Sequence, residues 1–271
     1  MSGLVELKEN SLEGLRQPSY AAYPLEGVTV LTEVAVRRVT FTEKKATGVE
    51  LEDNRVAKAT KEVILCAGAY RTPQILLLSG IGAPEVLSHD IPVIQASPGV
   101  GRNLFDHFAI YMAFRLRDPS QNLALGSPGW THPSLFKGLP YNWVVSEPLP
   151  EKSFEKLTGE SDLLERNLFE VLTVYVPPGI PGIPVDGAHI ATSTMLLLPT
   201  SRGTVSLRSS SPGDPPKIQS NYLSTEIDRE VLMQAARRTL KGDAWNRGRE
   251  TIHRKRNTFW TRAGLSDTSH G

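Results

Sequence analysis

The sequence predicts a mixed α/β (α+β) chain, part of a layered α/β domain carrying a β-meander, followed by part of an antiparallel-sheet domain. Three observations predict it. Residues 28–66 hold successive apolar-alternating runs separated by charged turns. The stretch "CAGAYRTPQILLLSGIG", Cys66–Gly82, reads as a strand end, a glycine-rich turn and a short buried helix. Alternating runs then recur after Phe108, ahead of an amphipathic helix near residues 225–240. With 22 glycines and 20 prolines in 271 residues, the chain has many turns and is no plain helix bundle.

The elements follow in order. In "VTVLTEVAVRRVTF" apolar residues alternate at Val34 and Val36 and, after a one-residue shift, at Val39 and Phe41. "ATGVELED" follows the charged turn Glu43-Lys44-Lys45 as a second strand, and "KEVILCAGA" is expected to be the third. Val63 to Cys66 are apolar on successive residues, which predicts a strand covered on both faces and a buried Cys66. Thr72-Pro73 reads as a helix start, because threonine can cap free amides and an N-terminal proline forfeits no intrahelical bond. Ile75 to Leu78 make that helix too apolar to face water, and Gly80 ends it. A short helix at "APEVLSHD" and a strand at "IPVIQ" precede the loop "SPGVGRNLFDH".

"FAIYMAFRLRD" alternates like a strand with one wet face. A Pro/Gly/Ser-rich stretch, Asp118 to Pro140, and a polar helix within 151–168 are followed by strands near 169–176, 188–198 and 203–208. "PPGIPGIPVDG" is a loop between them. The helix "TEIDREVLMQAARRTL" carries Ile227, Val231, Leu232 and Ala235 on one face. The expected division is linear: 1–107, 108–240, and a basic tail, 241–271, with seven Lys/Arg against three acids and no apolar period. That tail reads as disordered or foreign to the fold.

Several function classes are excluded or left without support. A net charge of +1 argues against a dedicated nucleic-acid or membrane-surface protein, and the short basic run "RETIHRKRN" reads as solvated. No run approaches the ~18 apolar residues that span a bilayer. The polar, acidic opening is not expected to be a signal peptide, and no signal names a compartment. One cysteine rules out an intrachain disulfide. The six histidines form no HExxH pair, so no metal site is expected. "LLSGI" is not the elbow of a hydrolase nucleophile, and "GVGRNL" and "GIGAPE" both lack the third glycine of a dinucleotide fingerprint.

A resemblance goes further. "GAYRTPQILLLSGIG", Gly68–Gly82, is similar along its whole length to a signature of the glucose-methanol-choline (GMC) flavin oxidoreductases. That pattern is Gly, a small residue, two variable positions, Ser/Thr, Pro/Ser, one variable, two aliphatics, two variable, then Ser-Gly-aliphatic-Gly. "GLRQPSYAAY", "GVGRNLFDH" and the run from "LLLPTSRGTVSL" to "TEIDREVL" resemble further family segments, so the likeness covers roughly residues 10–240.

The resemblance implies an FAD-binding domain, a substrate domain on an antiparallel sheet, and oxidation of small alcohols by hydride transfer to flavin. Carried onto this chain, Val36 would meet the adenine through its backbone, the alternative being an ordinary meander valine. Ala67, Gly68 and Ala69 would pass close to FAD, since small residues let backbone approach a cofactor, although strand–helix packing would also demand them. Asn103, Asp106 and His107 are expected to hold their loop in place and not to catalyse, and Ser201-Arg202-Gly203 to form a turn before a strand.

The departures matter equally. The family's strand–GxGxxG–helix and its proton-accepting histidine are not found, and the surroundings of His253 in "IHRKRN" do not resemble the catalytic ones. No catalytic residue is therefore assigned. The chain is expected to be a truncated family member that binds FAD weakly or not at all and does not turn over. The alternative is a non-catalytic partner of a full-length homologue.

Overall fold

The computed structural model describes residues 3–6, 10–83, 89–133, 137, 143–149, 166–174 and 184–241. In chain order they form β1 (Gly3–Glu6), β2 (Ser11–Leu12), β3 (Leu15–Arg16), α1 (Ser19–Ala22), β4 (Val36–Thr42), β5 (Lys45–Leu51) and β6 (Val56–Lys58). Next come α2 (Gly68–Leu78), β7 (Ile81–Gly82), β8 (Gln95–Ala96), β9 (Ala109–Arg115) and a 3₁₀ turn, Pro119–Gln121. The series closes with β10 (Trp143–Glu147), β11 (Phe169–Val174), β12 (His189–Leu196), β13 (Thr204–Ser206), β14 (Lys217–Gln219) and α3 (Glu226–Lys241). They belong to two compact units that interleave along the chain: residues 26–106 with 201–224, and 1–25 with 107–200 and 225–271.

In the unit of residues 26–106 and 201–224, β4–β5–β6 is an antiparallel meander. The shift read between Val36 and Val39 is a register shift in the β4–β5 pairing, between Val36 and Arg38. Helix α2 packs on this meander and on β13. Leu77 and Leu78 meet Leu207, with Ile91 and Val100 at the margin. Ser79 joins helix to sheet, its hydroxyl accepting the buried Val39 N–H at 2.8 Å and donating to the Ile75 carbonyl. The helix stops at Gly80, which has φ +78° and where a Cβ would collide with the Pro92 carbonyl oxygen.

The linear division differs from this packing because residues 201–224 return to the meander's unit. Leu104 and Gly203 exchange two backbone hydrogen bonds at 3.1 and 2.7 Å, and Val205 N–H donates to Gly101 at 2.8 Å.

Three local expectations are corrected. "KEVILCAGA" is not the third meander strand: β6 takes that edge of β5, because the turn after Leu51 closes at once, with Asn54 at φ +68° and Leu51 N–H bonded to Arg55 O at 2.8 Å. Val63–Cys66 then has no strand beside it among the described residues, Ile64 is 72% exposed, and Cys66 is exposed, not buried. Helix α2 starts at Gly68, not at Thr72-Pro73. Thr72 is inside the helix and is not its cap, although its hydroxyl accepts the Ala67 N–H at 3.0 Å, and Pro73 is carried inside the helix as well. Of "IPVIQ" only Gln95 is in strand, where β8 runs parallel to β7.

The unit of residues 1–25, 107–200 and 225–271 is built on a five-stranded antiparallel sheet, ordered β1–β10–β11–β12–β9. The strands expected near 108, 169 and 188, and the strand near 203 in the other unit, are present. Helix α3 covers one face of the sheet. Thr225 accepts the Asp228 N–H, Glu226 and Asp228 sit in the first turn, and Arg238 and Lys241 in the last, matching the helix dipole. Val231, Leu232 and Ala235 are buried, and the Thr239 and Thr194 hydroxyls bond at 3.1 Å. Arg238 pairs with Glu147 at 2.7 Å, both nearly buried, and lies 5.5 Å from the centre of the Phe169 ring.

The helices expected at "APEVLSHD" and in 151–168, most of the "PPGIPGIPVDG" loop and the tail beyond Lys241 lie wholly or largely outside the described residues.

Candidate functional site

The N-terminal turn of α2 positions the candidate site. Gly68 has φ +80°, a conformation that suits glycine, and a Cβ there would meet no atom within 4 Å. Packing against the described residues therefore does not demand a glycine here. The backbone turn does, and the space above it is open.

On one side of this turn lies a cleft of about 460 Å³, within the ~300–1,000 Å³ range of small-molecule sites. Val36 at the start of β4 and Ala67 at the helix cap both line it, brought together from separate segments. Ala35, Ile75 and Leu78 complete an apolar wall, and the Pro212-Gly213 loop forms the far rim. On the other side, a smaller cleft of about 230 Å³ is lined by Ala69, Thr72 and the Gly99–Arg102 loop. So of the four residues singled out, Val36 and Ala67 share one cleft, Ala69 borders the other, and Gly68 is the turn between.

Two polar residues in the larger cleft escaped the sequence reading. Arg71 donates from Nη1 to Gln74 Oε1 at 2.7 Å and to the Pro212 and Asp214 carbonyls, both at 3.4 Å. Gln74 is 3% exposed and donates to the Asp214 carbonyl at 2.8 Å. The signal was there: Ala67, Arg71, Gln74, Ile75 and Leu78 recur at three- and four-residue steps, one face of a helix. Among the described residues that line this cleft Arg71 is the only charged one, so the lining is apolar with one cation.

Of the loop residues expected to hold the loop, Asp106 makes such a bond. Asn103 has φ +57°, and Asp106 accepts the Tyr222 hydroxyl at 2.8 Å, a bond that raises the Tyr222 phenol above its usual range. Arg202 lies 5.1 Å from the Phe105 ring centre. Ser201 is buried and accepts the Ser224 N–H at 2.9 Å, directly before β13. His107 falls in the other compact unit. Among the described residues no cluster of three His, Cys, Asp or Glu could hold a metal, and no helix is long and apolar enough to cross a membrane.

Comparison with known proteins identifies the family. Two family profiles, both described as GMC oxidoreductase, match residues 20–109 and 199–268, together more than half the chain. The second match takes in most of the segment that composition had set apart as a tail. The GMC-type oxidoreductase acuG of Aspergillus aculeatus is 38% identical over 254 residues, covering 88% of this chain and 49% of that protein. An oxygen-dependent choline dehydrogenase of Pseudomonas savastanoi pv. phaseolicola is 33% identical over 225 residues, covering 78% of this chain and 38% of that protein. Among solved structures, a formate oxidase superposes with a TM-score of 0.72 at 23% identity, over 88% of this chain and 48% of that one, which bears on the fold. The chain thus spans half or less of the length of these relatives.

Proposed function

The chain belongs to the GMC oxidoreductase family, whose cofactor is FAD, and from that premise we propose that it carries part of the machinery of an FAD-dependent oxidation of CH–OH groups in small alcohols. The observation that carries the reading is the cleft shared by Val36 and Ala67 inside the segment that matches the family. Its apolar wall suits a planar ring, its single cation tolerates an anionic ligand, and the open space at Gly68 admits a close approach to backbone. Val36 would support the adenine, and Ala67, Gly68 and Ala69 would border the cofactor. FAD, when bound, supplies the two-electron acceptor. The similarity to a choline dehydrogenase supports the alcohol class.

These 271 residues by themselves, whatever flanks them in the natural polypeptide, are proposed to bind FAD weakly and to lack turnover. No catalytic residue is assigned to them. The test is the visible spectrum and alcohol-oxidase activity of the purified chain. A colourless, inactive preparation that takes up flavin only at high concentration fits the proposal. A chain that retains stoichiometric flavin and oxidises alcohols refutes it.

A second reading, a non-catalytic partner of a full-length homologue, is favoured by one feature. Val28, Val30, Leu31 and Ile64 are each more than half exposed, an unusual load of apolar surface on two segments that join no sheet among the described residues. Co-elution with a full-length family member supports that reading, and a monomer that ignores it in the same column run does not.

A further inference from the structure

We propose that Arg71 closes the Val36 cleft over a purine ring, laying its guanidinium plane on the adenine. The inference rests on the FAD reading above and adds a residue at a position the family signature leaves variable. Three features of the cleft carry it.

The guanidinium is anchored on one side only. Nη1 makes one short bond, to Gln74 Oε1 at 2.7 Å, and two long contacts to the Pro212 and Asp214 carbonyls at 3.4 Å, while Nε and Nη2 have no acceptor among the described residues. The anchor is firm, because Gln74 is itself buried and fastened to the Asp214 carbonyl at 2.8 Å. An arginine so tethered has lost part of its side-chain freedom, which lowers the cost of ordering it on a ligand.

The lining around it is apolar, with Ala35 and Val36 coming from the β4 side and Ile75 and Leu78 from Arg71's own helix face. Ala35, Val36, Ile75 and Leu78 offer dispersion contact to a flat ring and nothing to a phosphate. Among the described residues Arg71 has no ion-pair partner, and a carboxylate at the rim is that of Glu52, whose Oε1 approaches Gly213. A planar cation bordering an apolar cleft is suited to stack on an electron-rich aromatic ring bound there, and the guanidinium suits that stacking better than an ammonium would. The adenine of FAD, placed against Val36, is a ring of that kind.

The experiment titrates the purified chain with adenosine, AMP and FAD by calorimetry, in wild type, Arg71→Ala and Arg71→Lys. Arg71 is exposed, and matched circular dichroism of all three proteins establishes that they are folded. Adenosine and AMP are both expected to bind wild type weakly, and both to lose about tenfold in Arg71→Ala. Arg71→Lys, which keeps the charge without the plane, is expected to recover only part of the loss. Equal binding of adenosine by wild type and Arg71→Ala overturns the inference and leaves the FAD reading intact. Loss of AMP affinity with adenosine unaffected also overturns it, since that puts the guanidinium on phosphate. Failure of wild type to bind adenosine, AMP or FAD overturns both.

Discussion

At the scale of single residues, Ser79 does more than close a helix. Its hydroxyl satisfies the Val39 N–H, which is buried in the face that β4 turns to α2. In Ser79→Ala that amide keeps its burial and loses its acceptor, so the unit should lose about 1–3 kcal/mol, read as a lower urea midpoint at unchanged slope. Glu170 offers a second test. Half-burial lifts its carboxyl above the ordinary glutamate range, while the nearby His107 draws it partly back. The folded chain then holds this proton more tightly than the unfolded one. Stability from this group is present below the ordinary glutamate range and is lost as pH rises through the raised native value. Glu170→Gln should flatten that decline in a series of melting temperatures across mildly acid pH. An unchanged slope would place the cause elsewhere.

At the scale of elements, α3 and the five-stranded sheet are joined by a buried charge pair as well as by apolar contact. Arg238→Met leaves Glu147 buried without its cation, and a loss of about 3–5 kcal/mol is expected, measured by denaturant unfolding. Glu147→Leu combined with Arg238→Met should recover most of it, because removing both charges removes the desolvation penalty. This helix was legible in the sequence, since Val231, Leu232 and Ala235 repeat at its period and Thr225 stands at its start. The bulge in β4 was legible too, as a one-residue slip in alternation. The run "KEVILC" misled, because continuous apolar character predicts burial but does not supply neighbours. A tight hairpin placing Val56–Lys58 on the free edge of β5 closes over fewer residues and takes the position. The strands β1 and β10 were missed because each is short, and β1 finds its partner more than a hundred residues away, where local pattern is silent.

At the scale of the whole molecule, the two compact units cross the linear order of the sequence, with residues 201–224 returning to the unit that holds the candidate cleft. Pairing across such a separation cannot be read from periodicity, whereas the family signature, Gly68–Gly82, is a local string and could be. The same contrast holds at the site. The resemblance singled out Val36 and Ala67, which line one cleft, but Arg71 and Gln74 emerged only once α2 had turned one face to it. The measurement that most directly tests the cofactor assignment is a nuclear magnetic resonance titration of the isotope-labelled chain with FAD. Backbone signals of Val36, Ala67 to Arg71 and Gly213 should shift together and saturate at a common, weak affinity, with the five-stranded sheet unaffected. Shifts confined to that sheet, or none at saturating FAD, would contradict the assignment of the cleft to the adenine end of the cofactor.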